Sequence, residues 1–321
     1  MNGVLVLAKP PGPTSHDVVA LARRLTGTRR IGHGGTLDPF ASGVLPLFLG
    51  GATRLVEYHL ADRKRYRATI CFGSSSTTDD LEGELTPVDG PVLSAEAVGS
   101  ALAGFLGEIR QRPPAYSAIQ VAGRRSYALA RAGAAPQLPE RTVTIHALEL
   151  IAWNADDPQR PIGVVDVECS AGTYVRALAR DLGQVVGSGA YLGALIRTAS
   201  GPFRLEDALE LDALRAAASE SPAAVAALLL PVDAGLEGMP SIRLEPTEIS
   251  DAAMGRFVRP AAGVEGLPED TPIRLRDGDG RTVGIGTRDG RRIAPAKMLP
   301  AAVVAAGEGR RAGATEVGVD A

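Results

Sequence analysis

Arg29-Arg30-Ile31-Gly32-His33-Gly34-Gly35-Thr36-Leu37-Asp38-Pro39-Phe40-Ala41-Ser42-Gly43-Val44-Leu45-Pro46-Leu47-Phe48-Leu49-Gly50 is the stretch on which the reading of this 321-residue chain turns. It carries one carboxylate, Asp38, in a glycine-rich, proline-bounded loop between a basic approach (Arg29, Arg30) and an apolar exit (Val44 to Leu49). Gly32, Gly34 and Gly35 permit positive φ, and Pro39 fixes φ and holds Asp38 in an extended or turn geometry. The carboxylate is therefore expected to be aimed by its backbone, with a pKa open to tuning by Leu37 and Phe40. Taken alone, Leu-Asp-Pro is equally an ordinary turn in which the Asp caps the next element, so the flanking sequence has to decide.

On the N-terminal side, Val4 to Ala8 reads as a short buried strand and Lys9 to Asp17 as a rigid loop ending in a helix cap. Ser15 is the expected N-cap, Val18, Leu21, Ala22 and Leu25 keep helical spacing, and Gly27 ends the helix. On the C-terminal side, Ala52, Leu55, Val56, His59 and Leu60 form an apolar helical face. A basic strand from Asp62 to Gly73 follows, in which Tyr66, Ala68, Ile70 and Phe72 alternate with Arg65, Arg67, Thr69 and Cys71. Tyr66 thus lies on the apolar face at the basic end of the strand, where half-buried core is the default reading.

Further along, Ser74 to Pro91 is a polar loop whose Asp79-Asp80 pair lacks a third ligand at useful spacing for a metal. Ser94 caps a helix carrying Val98, Leu102 and Phe105. A Pro113-Pro114 lip precedes Arg124, Arg125, Tyr127 and Arg131, which suit either a phosphate-contacting edge or a solvated helix face. Strands are expected over Thr142 to Trp153 and Ile162 to Ser170, after which Gly172-Thr173 starts a helix burying Val175, Leu178, Leu182 and Val185. Arg176 then falls in a first turn, where the helix dipole opposes a cation. A nearby anion would remove the conflict, and Asp38 is the candidate. Gly189 to Leu209 reads as a strand, a turn and a capped helix, with Leu195 explicable by core packing.

Composition narrows the classes. The chain is 45% hydrophobic and 22% charged, as globular proteins are, and its length suits two domains. Cys71 and Cys169 sit in apolar strand-like runs, which argues against a disulfide framework or Cys-based zinc site and fits a reducing cytosol. Met1 to Lys9 lacks a signal-peptide pattern, and no stretch approaches the roughly 20 apolar residues of a membrane span. A soluble, cytoplasmic protein without a membrane partner is expected. The net charge of −3 conceals a segregation: residues 1–72 carry ten Lys/Arg against four Asp/Glu, and residues 205–270 carry four against thirteen. A basic working face and a remote acidic region follow, because phosphate contacts act over about a Debye length. No Gly-x-x-x-x-Gly-Lys-Ser/Thr, Rossmann glycine spacing or Gly-x-Ser-x-Gly is present, and His16, His33, His59 and His146 are too scattered to claim zinc. Pro231 to Pro240 is a linker anchored by Val232, Leu236 and Met239. Leu244 to Pro300 has the short strands and Gly-Asp turns of a small β-barrel. Asp277-Gly-Asp-Gly fails as a calcium loop because Arg288 stands at its twelfth position.

The segments 32–46 (Gly-His-x-Gly-x-Leu-Asp-Pro-x-Ala-x-Gly-x-Leu-Pro), 9–17 (Lys-Pro-x-Gly-x-Thr-Ser-x-Asp), 64–66 (Lys-x-Tyr), 113–118 (Pro-Pro-x-Tyr-Ser-Ala) and 172–176 (Gly-Thr-Tyr-x-Arg) together resemble the TruB family of tRNA pseudouridine synthases. The resemblance implies isomerisation of the T-loop uridine of tRNA, conventionally position 55, without cofactor or metal. Asp38 would be the nucleophile, paired with Arg176. Tyr66 would stack on the flipped base and is a possible acceptor of its C5 proton, Tyr174 would line the pocket, and Leu195 would close it. His33 would support the loop or the displaced RNA stack, and Arg29, Arg30, Arg124 and Arg125 would contact RNA. The implied fold is a mixed α/β (α+β) catalytic domain with a largely antiparallel sheet over residues 1–232. A linker (233–240), a PUA-like RNA-binding barrel (241–300) and a disordered tail (301–321) follow. The partner is the T-arm of tRNA, and a monomer with no obligatory protein partner is expected. The rival is a non-catalytic tRNA-binding or folding protein on the same scaffold.

Overall fold

The computed structural model describes residues 1–300 apart from Ala61 and residues 118–119, 122–123, 127–128, 130–135 and 137. Tyr127, Arg131, the expected tail and the side chains of Arg124 and Arg125 therefore lie outside the described residues; the backbones of Arg124–Arg125 pair with Gln120–Val121 in a hairpin.

One mixed, largely antiparallel sheet frames the molecule. Its strands lie in the order Leu209–Glu210, Gly3–Lys9, Ser42–Leu49, Ala190–Ser200, Lys64–Phe72, Ile162–Cys169, Arg141–Asn154 and Gly107–Gln111. Two neighbouring pairs are parallel: Gly3–Lys9 with Leu209–Glu210, and Ser42–Leu49 with Ala190–Ser200. The second matters for function, because it sets Gly43 opposite Arg197, while the antiparallel neighbour sets Tyr66 opposite the same residue. The exit of the Asp38 loop and the tyrosine strand thus meet at one position.

The apolar runs of Gly3–Lys9 and Ser42–Leu49 are continuous because both faces are covered. Leu5, Leu7, Leu45, Leu47 and Leu49 pack against Val18, Val19 and Ala22 of helix Ser15–Thr26 and Leu214 of helix Leu211–Glu220. Val4, Val6, Val44 and Phe48 face Val232, Ala234 and Leu236 of the linker and Ile285 and Leu299 beyond it. The strand Lys64–Phe72 alternates as expected, burying Ala68, Ile70 and Phe72. On its other face Arg65 and Arg67 pair with Glu168 and Asp166 of the next strand.

Several expectations need correction. Thr14, not Ser15, caps the first helix: its hydroxyl accepts from the Asp17 backbone N–H and the Asp17 carboxylate accepts from the Thr14 backbone N–H, a reciprocal box that adjacent Ser15 cannot share. The helical face at 52–60 is split into a 3₁₀ turn, Gly50–Arg54, and one α turn, Glu57–Leu60, and Leu60 is exposed. Val185 is exposed because the last turn of helix Val175–Val185 runs past the core, where Val186 packs instead. After Ser200 the chain forms a 3₁₀ turn at Leu205–Asp207, and the helix begins at Leu211 without a side-chain cap. The C-terminal unit has an unanticipated helix, Pro246–Ala253, and a four-stranded sheet (Ser241–Arg243, Pro272–Arg276, Thr282–Asp289, Arg292–Met298). Among the described residues this sheet is an open path, not a closed barrel.

Candidate active site

Asp38 is aimed by its neighbours' backbones. On one side the buried Ser15 hydroxyl donates to the Leu37 carbonyl at 3.1 Å and accepts from the Leu37 N–H at 2.9 Å. On the other, the Pro39 carbonyl accepts from Gly12 N–H at 2.8 Å and from the buried Lys9 ammonium at 3.1 Å. Lys9 also donates to the Pro10 and Pro13 carbonyls, so the Lys-Pro-Pro-Gly loop and the Asp38 loop are one clamped unit. Burial pushes the Lys9 ammonium down to about 8, with Asp38 opposing. Of the loop glycines named from the sequence, Gly35 uses positive φ (+125°), whereas Gly32 and Gly34 do not; Gly43, at the exit, does (+115°).

Arg176, second residue of its helix and 6% exposed, pairs with Asp38 side-on. Its Nη2 donates to Oδ1 at 3.1 Å, and Nε lies 3.0 Å from Oδ2, within ion-pair distance but outside hydrogen-bond geometry. The dipole conflict noted in the sequence is thus answered by the predicted anion. The opposite Nη1 donates to the buried Asp80 carboxylate at 3.1 Å and to the Thr78 carbonyl, while Nη2 also reaches the Tyr116 carbonyl. Burial raises the Asp38 carboxyl above the ordinary carboxylate range; Arg176 opposes this, Asp80 adds to it and Lys9 opposes it.

Tyr66 and Leu195 belong to the same apolar cluster as Leu37 and Phe40 of the Asp38 loop. Leu195 stands opposite Ala68. Tyr174 is the N-cap position of the Arg176 helix; its backbone is held by both ends of the Gln111 amide and its ring lies 5.6 Å from the Arg141 guanidinium. Among the described residues no hydrogen bond, ion pair or ring contact joins Tyr174 to Asp38. His33 accepts the Gly35 N–H on Nδ1 at 3.3 Å and meets His16 edge-to-face at 5.9 Å; burial, then His16 and Arg197, lower its pKa, which favours the neutral ring. Arg29 and Arg30 are exposed, and Arg30 lines a shallow groove with Arg54 and Lys297.

Three contributors escaped the sequence reading. Asp79 and Asp80 hold arginines of the Arg176 helix: Asp79 pairs with Arg180 at 2.8 Å and Asp80 with Arg176. Arg197, 1% exposed, donates to the Val44 carbonyl at 2.8 Å, Gly35 at 3.1 Å and Thr36 at 3.5 Å, tying both ends of the loop. Adjacent acidic residues and an Arg two positions after Leu195 were the available signals, but their partners are remote in sequence. Among the described residues no cluster of three His, Cys, Asp or Glu is arranged to hold a metal ion.

Such a site, one recessed carboxylate against a buried arginine beside a tyrosine, can present an oriented nucleophile to a flat ring. The mixed sheet that carries it is that of the pseudouridine synthases. It matches a crystal structure of a Cbf5–Nop10–Gar1 complex with TM-score 0.69 at 26% identity over 92% of this chain and 83% of that one. Residues 23–175 match the TruB family pseudouridylate synthase N-terminal domain and residues 176–237 the tRNA pseudouridylate synthase B C-terminal domain. The sequence is 45% identical to tRNA pseudouridine synthase B of Synechococcus sp. (strain WH7803), covering 90% of this chain and 94% of that one. For the protein of the same name from Geobacillus kaustophilus (strain HTA426) the values are 42%, 83% and 94%. The chain belongs to the TruB family of pseudouridylate synthases.

Proposed function

We propose that this protein is a tRNA pseudouridine synthase that isomerises the T-loop uridine, conventionally position 55, with Asp38 as nucleophile on a flipped-out base. The side-on pairing of Arg176 with Asp38 carries the reading: the guanidinium opposes the rise that burial imposes on the carboxyl and so favours the ionised nucleophile, with Tyr66 near the same carboxylate. Flipping a uridine costs a few kcal/mol, and stacking on the Tyr66 ring returns roughly 1–3 kcal/mol. Asp38 adds to the ribose at C1′ or to the ring at C6, the uracil turns, bonds through C5 and loses its C5 proton. Tyr174 and Leu195 bound the pocket, and neutral His33 supports the loop or the displaced stack. Arg29, Arg30, Arg124 and Arg125 contact the T-arm backbone, in keeping with shape-based recognition of RNA. Residues 1–232 form the catalytic domain, 233–240 the linker and 241–300 a PUA-like RNA-binding domain. The protein works as a cytoplasmic monomer.

Tritium release from [5-³H]uridine-labelled tRNA tests the reading. Release of one tritium per tRNA by the wild type, absent in Asp38→Asn, is expected. Binding of tRNA without release would leave the non-catalytic folding protein as the better description.

A further inference from the structure

Arg197 is a buried cation in an unusual setting. Among the described residues its hydrogen bonds go to three backbone carbonyls and to no carboxylate, and Tyr66 is its direct partner across the antiparallel strand pair. A buried charge without a counter-ion is costly. The backbone of residue 197 is itself held tightly against the exit of the Asp38 loop. A Cβ on Gly43 would lie 2.3 Å from the Arg197 carbonyl oxygen and 2.5 Å from its nitrogen, and the register against Lys64–Phe72 shifts just after the Tyr66–Arg197 pair. Such an irregularity re-aims side chains at a strand end. Tyr66 is faced by Arg197 across the strands, by Asp38 from the loop and by the Cys169 thiol from the adjoining strand; Arg197 is faced by Lys9, Lys64 and His33. Burial raises the Tyr66 phenol and Arg197 works against that rise.

We infer that Arg197 is a positioning residue that makes Tyr66 a two-way proton carrier, giving a proton to N1 of the departing uracil and recovering one from C5. This rests on the proposed reaction and deepens it. Uridine carries ribose on N1 and hydrogen on C5, and pseudouridine carries the reverse, so one proton moves from C5 to N1 and no co-reactant is required. As C1′–N1 breaks, its electron pair goes to N1, which takes the phenolic proton and leaves a phenolate beside Arg197. Half a turn about the axis through N3 and C6 brings C5 to the place N1 left. The ring π pair then forms C1′–C5 while the bond between Asp38 and C1′ (or C6) breaks and returns its electron pair to the carboxylate; the C5–H bond breaks, its electrons restore the ring double bond, and the proton returns to the same oxygen. One fixed group therefore serves both transfers.

Single-turnover rates on [5-²H]- and [5-¹H]uridine tRNA test this with Arg197→Met and Arg197→Lys, each checked for folding by circular dichroism. Loss of a proton carrier's activation is expected to slow Arg197→Met by roughly 10²-fold and to give a primary isotope effect larger than the wild type's. Arg197→Lys, which keeps a cation and is the variant safer for folding, should show a smaller loss and a smaller isotope effect. An isotope effect unchanged from wild type in folded variants overturns the inference, because mere loop displacement would slow attack by Asp38 instead. Tyrosinate absorbance, with Tyr66 isolated by subtraction of Tyr66→Phe, gives a substrate-free reading: Tyr66 should ionise at higher pH in both Arg197 variants, and an unmoved titration equally overturns the coupling. A wild type that releases no tritium defeats the proposed reaction, while the titration still decides the Arg197–Tyr66 pairing.

Discussion

Asp38 and Arg176 form the pair on which the chemistry depends. Asp38→Asn keeps the size and removes the nucleophile, so tritium release should vanish while filter-binding affinity for tRNA stays near wild type; turnover within about tenfold of wild type removes Asp38 from that role. The acid limb of activity has a definite sign. Burial holds the folded Asp38 carboxyl above its ordinary range with Arg176 opposing, and the ionised form is the active one. Activity is therefore present above that raised pKa and is lost as pH falls through it. Arg176→Ala removes the opposing charge, so its limb should move to higher pH and its rate should recover on going from about pH 6 to 9. Arg176→Lys should restore only part, since a point charge cannot reproduce the side-on fork. A loss equal at every pH would assign Arg176 to packing alone. Asp80 belongs to the same pair from behind: its removal takes the buried counter-charge from Nη1, leaving it only the Thr78 carbonyl, and should cost about 3 kcal/mol, read from urea unfolding.

At the scale of elements, the site is a junction of the Asp38 loop, the strands Ser42–Leu49, Ala190–Ser200 and Lys64–Phe72, and the helix Val175–Val185. Gly43 is a close point of that junction, where positive φ and contact with the Arg197 backbone both exclude a side chain. Gly43→Ala should part the parallel strands, lower the melting temperature and reduce activity more than tRNA binding; a variant with wild-type melting and turnover would show that the strands can separate without harm to the loop. The helix was legible because its apolar spacing is local and its misplaced arginine required an anion. The loop that carries Asp79 and Asp80 was not: its carboxylates meet arginines about a hundred residues away, and no local spacing encodes that encounter.

In the whole molecule the linker is part of the core. Val232, Ala234 and Leu236 cover one face of the central strands, and Ile285 and Leu299 complete the same cluster. Truncation after Pro240 should therefore leave a folded catalytic domain that still modifies tRNA but binds it less tightly. Uncovering this cluster should cost about 2–3 kcal/mol, a fall of roughly 4–12 °C in melting temperature; a folded yet inactive fragment would mean that the C-terminal unit takes part in the chemistry. What the sequence determined by itself is what neighbours along the chain can encode. The alternation of Lys64–Phe72, the glycine that ends the first helix at Gly27, the backbone-aimed Asp38 and the demand of Arg176 for an anion all follow from periods of two or 3.6 residues and from turn and dipole chemistry. Tertiary structure alone decided which carboxylates answer which arginines, that Thr14 and not Ser15 caps the helix because Ser15 is taken up by Leu37, and that Arg197 lies between Gly43 and Tyr66. These outcomes depend on strand order and register across large separations in the chain, and a single parallel pairing within an otherwise antiparallel stretch of sheet is what brings them together.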